Sequence, residues 1–436
     1  MTARRSDAAT SASPSLWSLA PSVFLPATVY EIGNGAIAPV IALTALAVGA
    51  SPAQAGFTLA VLGVGQVLGD LPAASLAERI GDRRAMLVAA MVAVTGLIAC
   101  YFSRSLLVLG VGLLLIGTAN ATYYLGRQSY LAEVIPVGMR ARAMSTLGGS
   151  HRLGLFLGPF VGAAVISGFG LRAAYVVAMF AASTAALSLL AIPDVPIPEG
   201  QPLTVRGTIS SRRMFAGNRR LFLTMGIAIV AVSAVRAARQ TVLPLWSQHL
   251  GMSAAQTSLV FGIASAVDVA MFYPSGQVMD RFGRLSIALP SMMILGAAMM
   301  LLPLTAGTLS LTVVAMVMSL GNGLGSGIMM TLGTDAAPVD GRVRFLSIWR
   351  LFSDSGNAAG PVVMAIVATA AGLAAGIVAI GSVGLLAAVA LAAWVPRYSP
   401  FARPRDAARL RAQRISPAIV AAPDGGPPAD LAAAEP

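Results

Sequence analysis

The sequence contains no lysine, one cysteine, two histidines and only 11% charged residues in a chain of 436. Each scarcity removes a class of protein. A lone cysteine, Cys100, allows neither an internal disulfide nor a cysteine-cluster metal site. Without lysine there is no phosphate-binding glycine loop ending in Lys, so ATP-driven chemistry is not expected. No His/carboxylate metal spacing and no nucleophile with a partnered base is present either. The expectation is a protein that is not an enzyme and carries no cofactor and no metal. With 57% hydrophobic residues the chain lies outside the makeup of a soluble domain, so the lipid bilayer is its main solvent.

What the sequence has in abundance is apolar length. A spanning helix takes about 20 mostly apolar residues. Such stretches fall at 20–46, 53–77, 85–103, 106–131, 143–168, 172–192, 220–247, 254–279, 285–304, 308–332, 345–369 and 373–395. The reading is an all-α membrane protein with 12 transmembrane helices and both termini on one side. The first span is expected to be retained, because no small-residue cleavage site accompanies the Arg4-Arg5 pair.

The net charge of +12 follows from that topology. Arginines in the loops fall on the side of the termini, and only Arg104 and Arg172 fall on the other, which is the asymmetry of a protein with cytoplasmic termini. The positive charge therefore does not point to nucleic acid. A composition this rich in arginine suggests a GC-rich bacterial genome, hence a bacterial cell inner membrane.

An internal repeat organises the chain. At a constant offset of 202, Gly49, Ser51, Ala53 and Gln54 return as Gly251, Ser253, Ala255 and Gln256, and Arg79 and Gly81 as Arg281 and Gly283. Pro136, Arg140, Arg142 and Ser145 return as Pro338, Arg342, Arg344 and Ser347, and Gly154, Gly158 and Pro159 as Gly356, Gly360 and Pro361. A six-span repeat in one orientation means two six-helix bundles related by an axis along the membrane normal, an alternating-access architecture. The expected divisions are an N-terminal bundle over 1–192, a cytoplasmic linker over 193–218, a C-terminal bundle over 219–399 and a disordered cytoplasmic tail over 400–436.

Two loops carry a charged motif at matching places. After span two stands Ala74-Ser-Leu-Ala-Glu78-Arg79-Ile-Gly81-Asp82-Arg83-Arg84, and after span eight Gly276-Gln-Val-Met-Asp280-Arg281-Phe-Gly283-Arg284. An acid closing a helix and basic residues in a tight glycine turn suit a clamp on neighbouring helix ends. Both resemble the G-x-x-x-D-R-x-G-R-[RK] loop of the major facilitator superfamily; the first copy departs from it at Ala74, Glu78 and Asp82. The resemblance implies the major facilitator fold and a gating role for Glu78, Arg79, Gly81, Arg83, Asp280, Arg281, Gly283 and Arg284. In span five, Gly154-x-x-x-Gly158-Pro159-x-x-Gly162-Ala163 resembles the signature of that superfamily's drug/proton antiporters, which points to export. The basic residue that those antiporters often carry in span four is absent near Leu113. The plain alternative is small-residue packing, since span eleven repeats the first half of the pattern.

Ionisable groups well inside spans mark a pathway or a paired switch. The acids are Glu31, Asp70, Asp268 and Asp354; the bases are Arg152, Arg236, Arg239 and Arg350, with His151 beside them and Arg127 nearer the cytoplasmic end. Positions three or four apart share a helix face. This groups Tyr30 and Asn34 with Glu31, Asn120, Tyr123 and Tyr124 with Arg127, and Arg236 and Arg239 with Gln240. In the superfamily, spans one, four, seven and ten line the central cavity. The resemblance thus places these residues, with Asn322, on a substrate cavity. Glu31, read as an isolated carboxyl in an apolar helix, is the first choice for proton coupling, with Asp70, Asp268, Asp354 and His151 as further candidates. Arg152 plus 202 is Asp354, so these two, with Arg350, are expected to pair across the bundles.

The expectation is a secondary active transporter, a proton-coupled antiporter exporting a small molecule such as a drug or metabolite, for which a monomer suffices. The alternatives are uptake or exchange of an organic anion, motivated by Arg236 and Arg239, and a membrane sensor that transports nothing.

Overall fold

The structure is a computed structural model that describes residues 23–134, 140–190, 211–325, 327–338 and 342–403, the side chains of 71, 74, 78, 132–134, 140–142, 145, 211, 342 and 343 excepted. The described residues form twelve long helices. They are α1 (Leu25–Ala47), α2 (Pro52–Ile80), α3 (Asp82–Phe102), α4 (Leu106–Val134), α5 (Arg140–Phe169), α6 (Ala173–Leu190), α7 (Ile227–His249), α8 (Ala254–Phe282), α9 (Leu285–Leu301), α10 (Thr308–Leu324), α11 (Arg342–Ala371) and α12 (Leu373–Tyr398). Eleven helical stretches are long and apolar enough to cross a membrane; α2, at 29 residues, is as long but carries Gln66 and Asp70 midway. Large apolar side chains such as Leu107, Phe169 and Leu309 point outward, as a lipid-facing surface requires. The protein is a multi-pass membrane protein.

The 202-residue repeat is visible in the backbone. Ser51 and Gln54 cap α2 reciprocally, and Ser253 and Gln256 cap α8 in the same way. The glycines with positive φ form three pairs at that offset: Gly49 and Gly251 (94° and 75°), Gly81 and Gly283 (85° and 91°), Gly170 and Gly372 (84° and 91°). Each stands in a turn where a side chain would be strained. Helices α1–α6 pack among themselves, as do α7–α12; between the two groups α2 packs on α11 and α5 on α8.

The contacts between the groups differ along the membrane normal. Towards the end bearing Gly49 and Gly251 they are backbone-close: a methyl on Gly56 would lie 3.1 Å from Ala365 Cβ, and one on Gly63 3.3 Å from Ala358 Cα. A methyl on Gly262 would lie 2.9 Å from the Phe160 ring. Towards the other end, ion pairs cross the seam instead.

Two expectations are corrected, for the tenth span and for the tail, and the seventh span shows a local detail. The tenth span is not one helix over 308–332. It stops at Leu324 and resumes as Ile328–Ala336, because the run Gly321, Gly323, Gly325 and Gly327 weakens the helix and the Gly325 carbonyl is taken by the Arg236 guanidinium at 2.7 Å. The seventh span begins with a π-helical turn, Phe222–Gly226, packed between the rings of Phe215, Phe345 and Phe352. The tail does not leave the fold at residue 400: Phe401 and Ala402 accept hydrogen bonds from the amides of Arg284 and Leu285. Most of the expected linker and the tail beyond 403 lie outside the described residues, although Ser211–Gly217 is helical.

Candidate functional site

Where the two bundles meet, α1, α2, α4, α5, α7, α8 and α11 enclose a cavity of about 370 Å³. Its wall is polar on one side, with Asn34, Gln66, His151, Arg152, Arg239 and Asp268, and apolar on the other, with Ile37, Ile41, Leu59, Leu62, Ile116 and Phe261.

Glu31 lies just behind the polar wall and is fully buried. The expectation of an isolated carboxyl is corrected, because α4 and α5 bring donors to both of its oxygens. Arg127 Nη1 donates to Oε1 at 3.1 Å and His151 Nδ1 stands 2.9 Å from the same oxygen. Asn34 Nδ2 and Tyr124 Oη donate to Oε2 at 3.1 and 3.2 Å. Below this, Tyr30 Oη donates to Asn120 Oδ1 at 2.7 Å, and the Tyr30 and Tyr123 rings stack at 4.1 Å. Among the described residues, His151 alone of Glu31's ion-pair partners also lines the cavity, its side chain 33% exposed.

The close approach of α1 and α5 depends on the span-five glycines. A methyl on Gly154 would strike Glu31 Cβ, and one on Gly158 would lie 2.6 Å from Ala36 N. Gly356 and Gly360 bring α11 against Val230, Ser233 and Ala234 of α7 in the same manner. Both halves thus use the pattern for packing, so the close approach does not by itself separate an exporter from other members of a fold.

The second charged group centres on Asp268 of α8. Arg239 Nη2 lies 3.5 Å from Oδ2, and Asn322 Nδ2 donates to the same oxygen. Arg239 also donates to Ser319 Oγ at 2.6 Å. From the other bundle, Arg152 Nη1 stands 3.7 Å from Oδ1, its guanidinium carbon 4.1 Å from the Phe272 ring centre. The expected Arg152–Asp354 pair is therefore corrected: α5 packs on α8, and α11 on α2, so position 152 faces α8 and position 354 faces α2. There Arg350 reaches both Asp70 (3.5 Å) and Asp354 (3.4 Å), and the two carboxyl groups approach each other.

Of the residues assigned to a substrate cavity, Asn34, Asn120, Tyr124, Arg239 and Gln240 line it. Tyr30, Tyr123, Arg127, Arg236 and Asn322 do not; they are packed or hydrogen-bonded behind the wall. Sequence reasoning left Ser319 and Phe272 out of the site. Phe272 had a usable signal, since Asp70 plus 202 is 272.

The charged loops clamp within their own bundles. Arg284 pairs with Asp335 at 2.9 Å and with Asp280 at 3.3 Å, stacks on Phe401, and shares Asp335 with Ser399. In the first copy, where Asp82 replaces the arginine, Arg83 instead caps α6 through the carbonyls of Leu189 and Leu190, both at 2.8 Å. Gly81 and Gly283 supply the turns, Arg281 lies over Phe282, Arg79 closes α2, and the Glu78 side chain is outside the described residues. Among the described residues no three His, Cys, Asp or Glu side chains converge to hold a metal.

Comparison with known proteins fits this architecture. The chain is 26% identical over 160 residues to the multidrug resistance protein MdtG of Klebsiella pneumoniae (strain 342); the match covers 36% of this chain and spans 39% of that relative. Among solved structures it is similar to a POT family transporter in complex with a thioalcohol-conjugated peptide (TM-score 0.71, 12% identity, 86% of this chain and 95% of that one). It is also similar to the nucleoside transporter NupG (0.71, 12%, 86% and 98%) and to a D-xylose-proton symporter (0.65, 17%, 87% and 98%). The sequence profile of the Major Facilitator Superfamily matches residues 23–343 and 240–423, and with two repeated bundles around a central polar cavity the chain belongs to that superfamily of membrane transporters.

Proposed function

We propose that this chain is a proton-coupled exporter of a small organic molecule in a bacterial inner membrane, with both termini cytoplasmic. The observation that carries the coupling is His151, which is open to the cavity and 2.9 Å from the buried Glu31 carboxylate. An imidazole in that position passes a proton from cavity water to a carboxylate that water does not reach. Protonating Glu31 removes the charge that holds Arg127 and His151, so α1, α4 and α5 repack. Asp70 and Asp354, two carboxyl groups bridged by Arg350 across the seam, offer a second place for a proton that separates or joins the bundles. Export as the direction draws on the multidrug relative and on the span-five motif.

The test is proton movement in proteoliposomes carrying an internal pH-sensitive dye, across a panel of lipophilic cations, antibiotics and organic anions. Compound-driven proton flux, lost in Glu31→Gln and strongly slowed in His151→Gln, is the expected result. Unchanged flux in Glu31→Gln removes Glu31 from the coupling, and absence of flux for every compound favours the sensor reading.

A further inference from the structure

Three arginines surround a single carboxylate at the centre of the molecule. Arg236 is spent on structure: its Nη1 donates to Gly325 O at 2.7 Å, the carbonyl end of α10, where a cation is favoured. Arg152 and Arg239 remain, both lining the cavity and both turned to Asp268 from opposite bundles. One carboxylate does not balance two guanidinium groups. Behind the wall, Glu31 is already matched by Arg127, so it supplies no further negative charge. The carbonyl that holds Arg236 carries no charge, so that arginine adds a second positive charge, and the Asp70, Asp354 and Arg350 cluster is one negative charge in excess. Together these buried groups leave one positive charge unbalanced, in a membrane interior where that is costly.

The geometry shows where the missing anion belongs. Arg152 is held loosely, at 3.7 Å from an Asp268 oxygen that receives no hydrogen bond, and its planar group rests on Phe272. A guanidinium so placed keeps donors for a second carboxylate. The cavity also has a direction. Along α1, α2, α4 and α8, the lining changes from polar to apolar towards the end bearing Gly49 and Gly251: Asn34 to Ile41, Gln66 to Leu59, Asn120 to Ile116, Asp268 to Phe261. A molecule with an acid at one end and an apolar body at the other matches both charge and gradient.

We propose that the cavity takes a small amphipathic organic monoanion, its acid group bridging Arg152 of one bundle and Arg239 of the other, its body lying towards Ile41, Leu59 and Phe261. This rests on the reading that the central cavity holds the transported molecule. A cationic substrate is disfavoured by the same wall, because the Asp268 oxygen that receives no hydrogen bond is itself buried and stands beside Arg152. The acid of the substrate would also tie the two bundles together across the seam, which couples occupancy to their relative position.

Three probes with one body and three charges test this: 1-naphthoate, 1-naphthamide and 1-naphthylmethylammonium. Binding to the full chain in detergent is read by tryptophan fluorescence and thermal shift at equal pH. The expected result is binding of naphthoate at least about tenfold tighter than of the other two, weakened about tenfold or more in Arg152→Gln and in Arg239→Gln, and retained or tightened in Asp268→Asn. The charge series on the unmodified chain decides the matter even where a variant fails to fold. Equal binding of the three, preference for the ammonium compound, or no binding of any by folded protein at millimolar concentration overturns the proposal. Naphthoate binding without naphthoate-driven proton movement in proteoliposomes leaves the site standing and removes the coupled-export reading; proton-coupled movement of the ammonium compound without naphthoate binding does the reverse.

Discussion

The guanidinium carbon of Arg152 lies 4.1 Å from the centre of the Phe272 ring, and the residues 202 positions away from this pair are Asp354 and Asp70. One repeated contact between α5 and α8, and between α11 and α2, is thus built from a cation on an aromatic ring in one half and from two acids in the other. The acids are reconciled by Arg350, whose counterpart in the first half is Gly148. The repeat preserved the backbone approach and left the chemistry free to diverge.

The Arg350 cluster is a partly solvated link, with Arg350 43% exposed and Asp70 27%. Screening makes such pairs worth little. A double-mutant cycle with Asp70→Asn and Arg350→Gln, read by thermal unfolding in detergent, is expected to give a coupling below about 1 kcal/mol. A coupling several times larger would mean that this seam holds the bundles together.

Glu31 presents the opposite case. Arg127→Leu strips the cation from a fully buried carboxylate, so the expected loss is about 3–5 kcal/mol, with Glu31→Gln added to Arg127→Leu restoring part of it. Equal stability of the single and double variants would show that Glu31 is not ionised in the resting protein.

Two glycines on α5 are expected to behave in opposite ways. A side chain at Gly158 meets the α1 backbone, so Gly158→Val should destabilise by more than about 1–3 kcal/mol. A methyl on Gly148 would have nothing among the described residues within 4 Å, so Gly148→Ala should be neutral or stabilising by about 0.5–1 kcal/mol. Melting curves that rank the two variants the other way would sink the close-approach argument.

At the loop clamp, Arg284→Gln leaves Asp335, 8% exposed, with Ser399 but no cation. The expected cost is about 1–3 kcal/mol, with earlier proteolysis near residues 399–403. Unchanged melting and cleavage would show that the clamp forms only in another conformational state.

Much of the site's content was legible because membrane burial makes polar residues conspicuous. Glu31, Arg152, Arg239 and Asp268 stand out from apolar helices whatever the packing. Their partners were not legible. Nothing in the spacing says that Arg127 and His151, on separate helices, converge on Glu31, or that Arg152 faces Asp268 rather than Asp354, since contacts between helices depend on which faces the bundles present. The break at Gly325 escaped hydropathy for a related reason, because the broken segment is as apolar as its neighbours and its carbonyl partner comes from α7.

The sequence by itself determined the helical spans, apart from the break in the tenth, the two-fold repeat and the capping and turn residues that recur 202 positions apart, because these depend on local propensity and on the thickness of the bilayer. Only the tertiary structure decided which buried charges neutralise each other and which face the cavity. Electrostatic balance is a property of distances between helices, and those distances are set by the glycines and small residues through which α1 meets α5 and α7 meets α11.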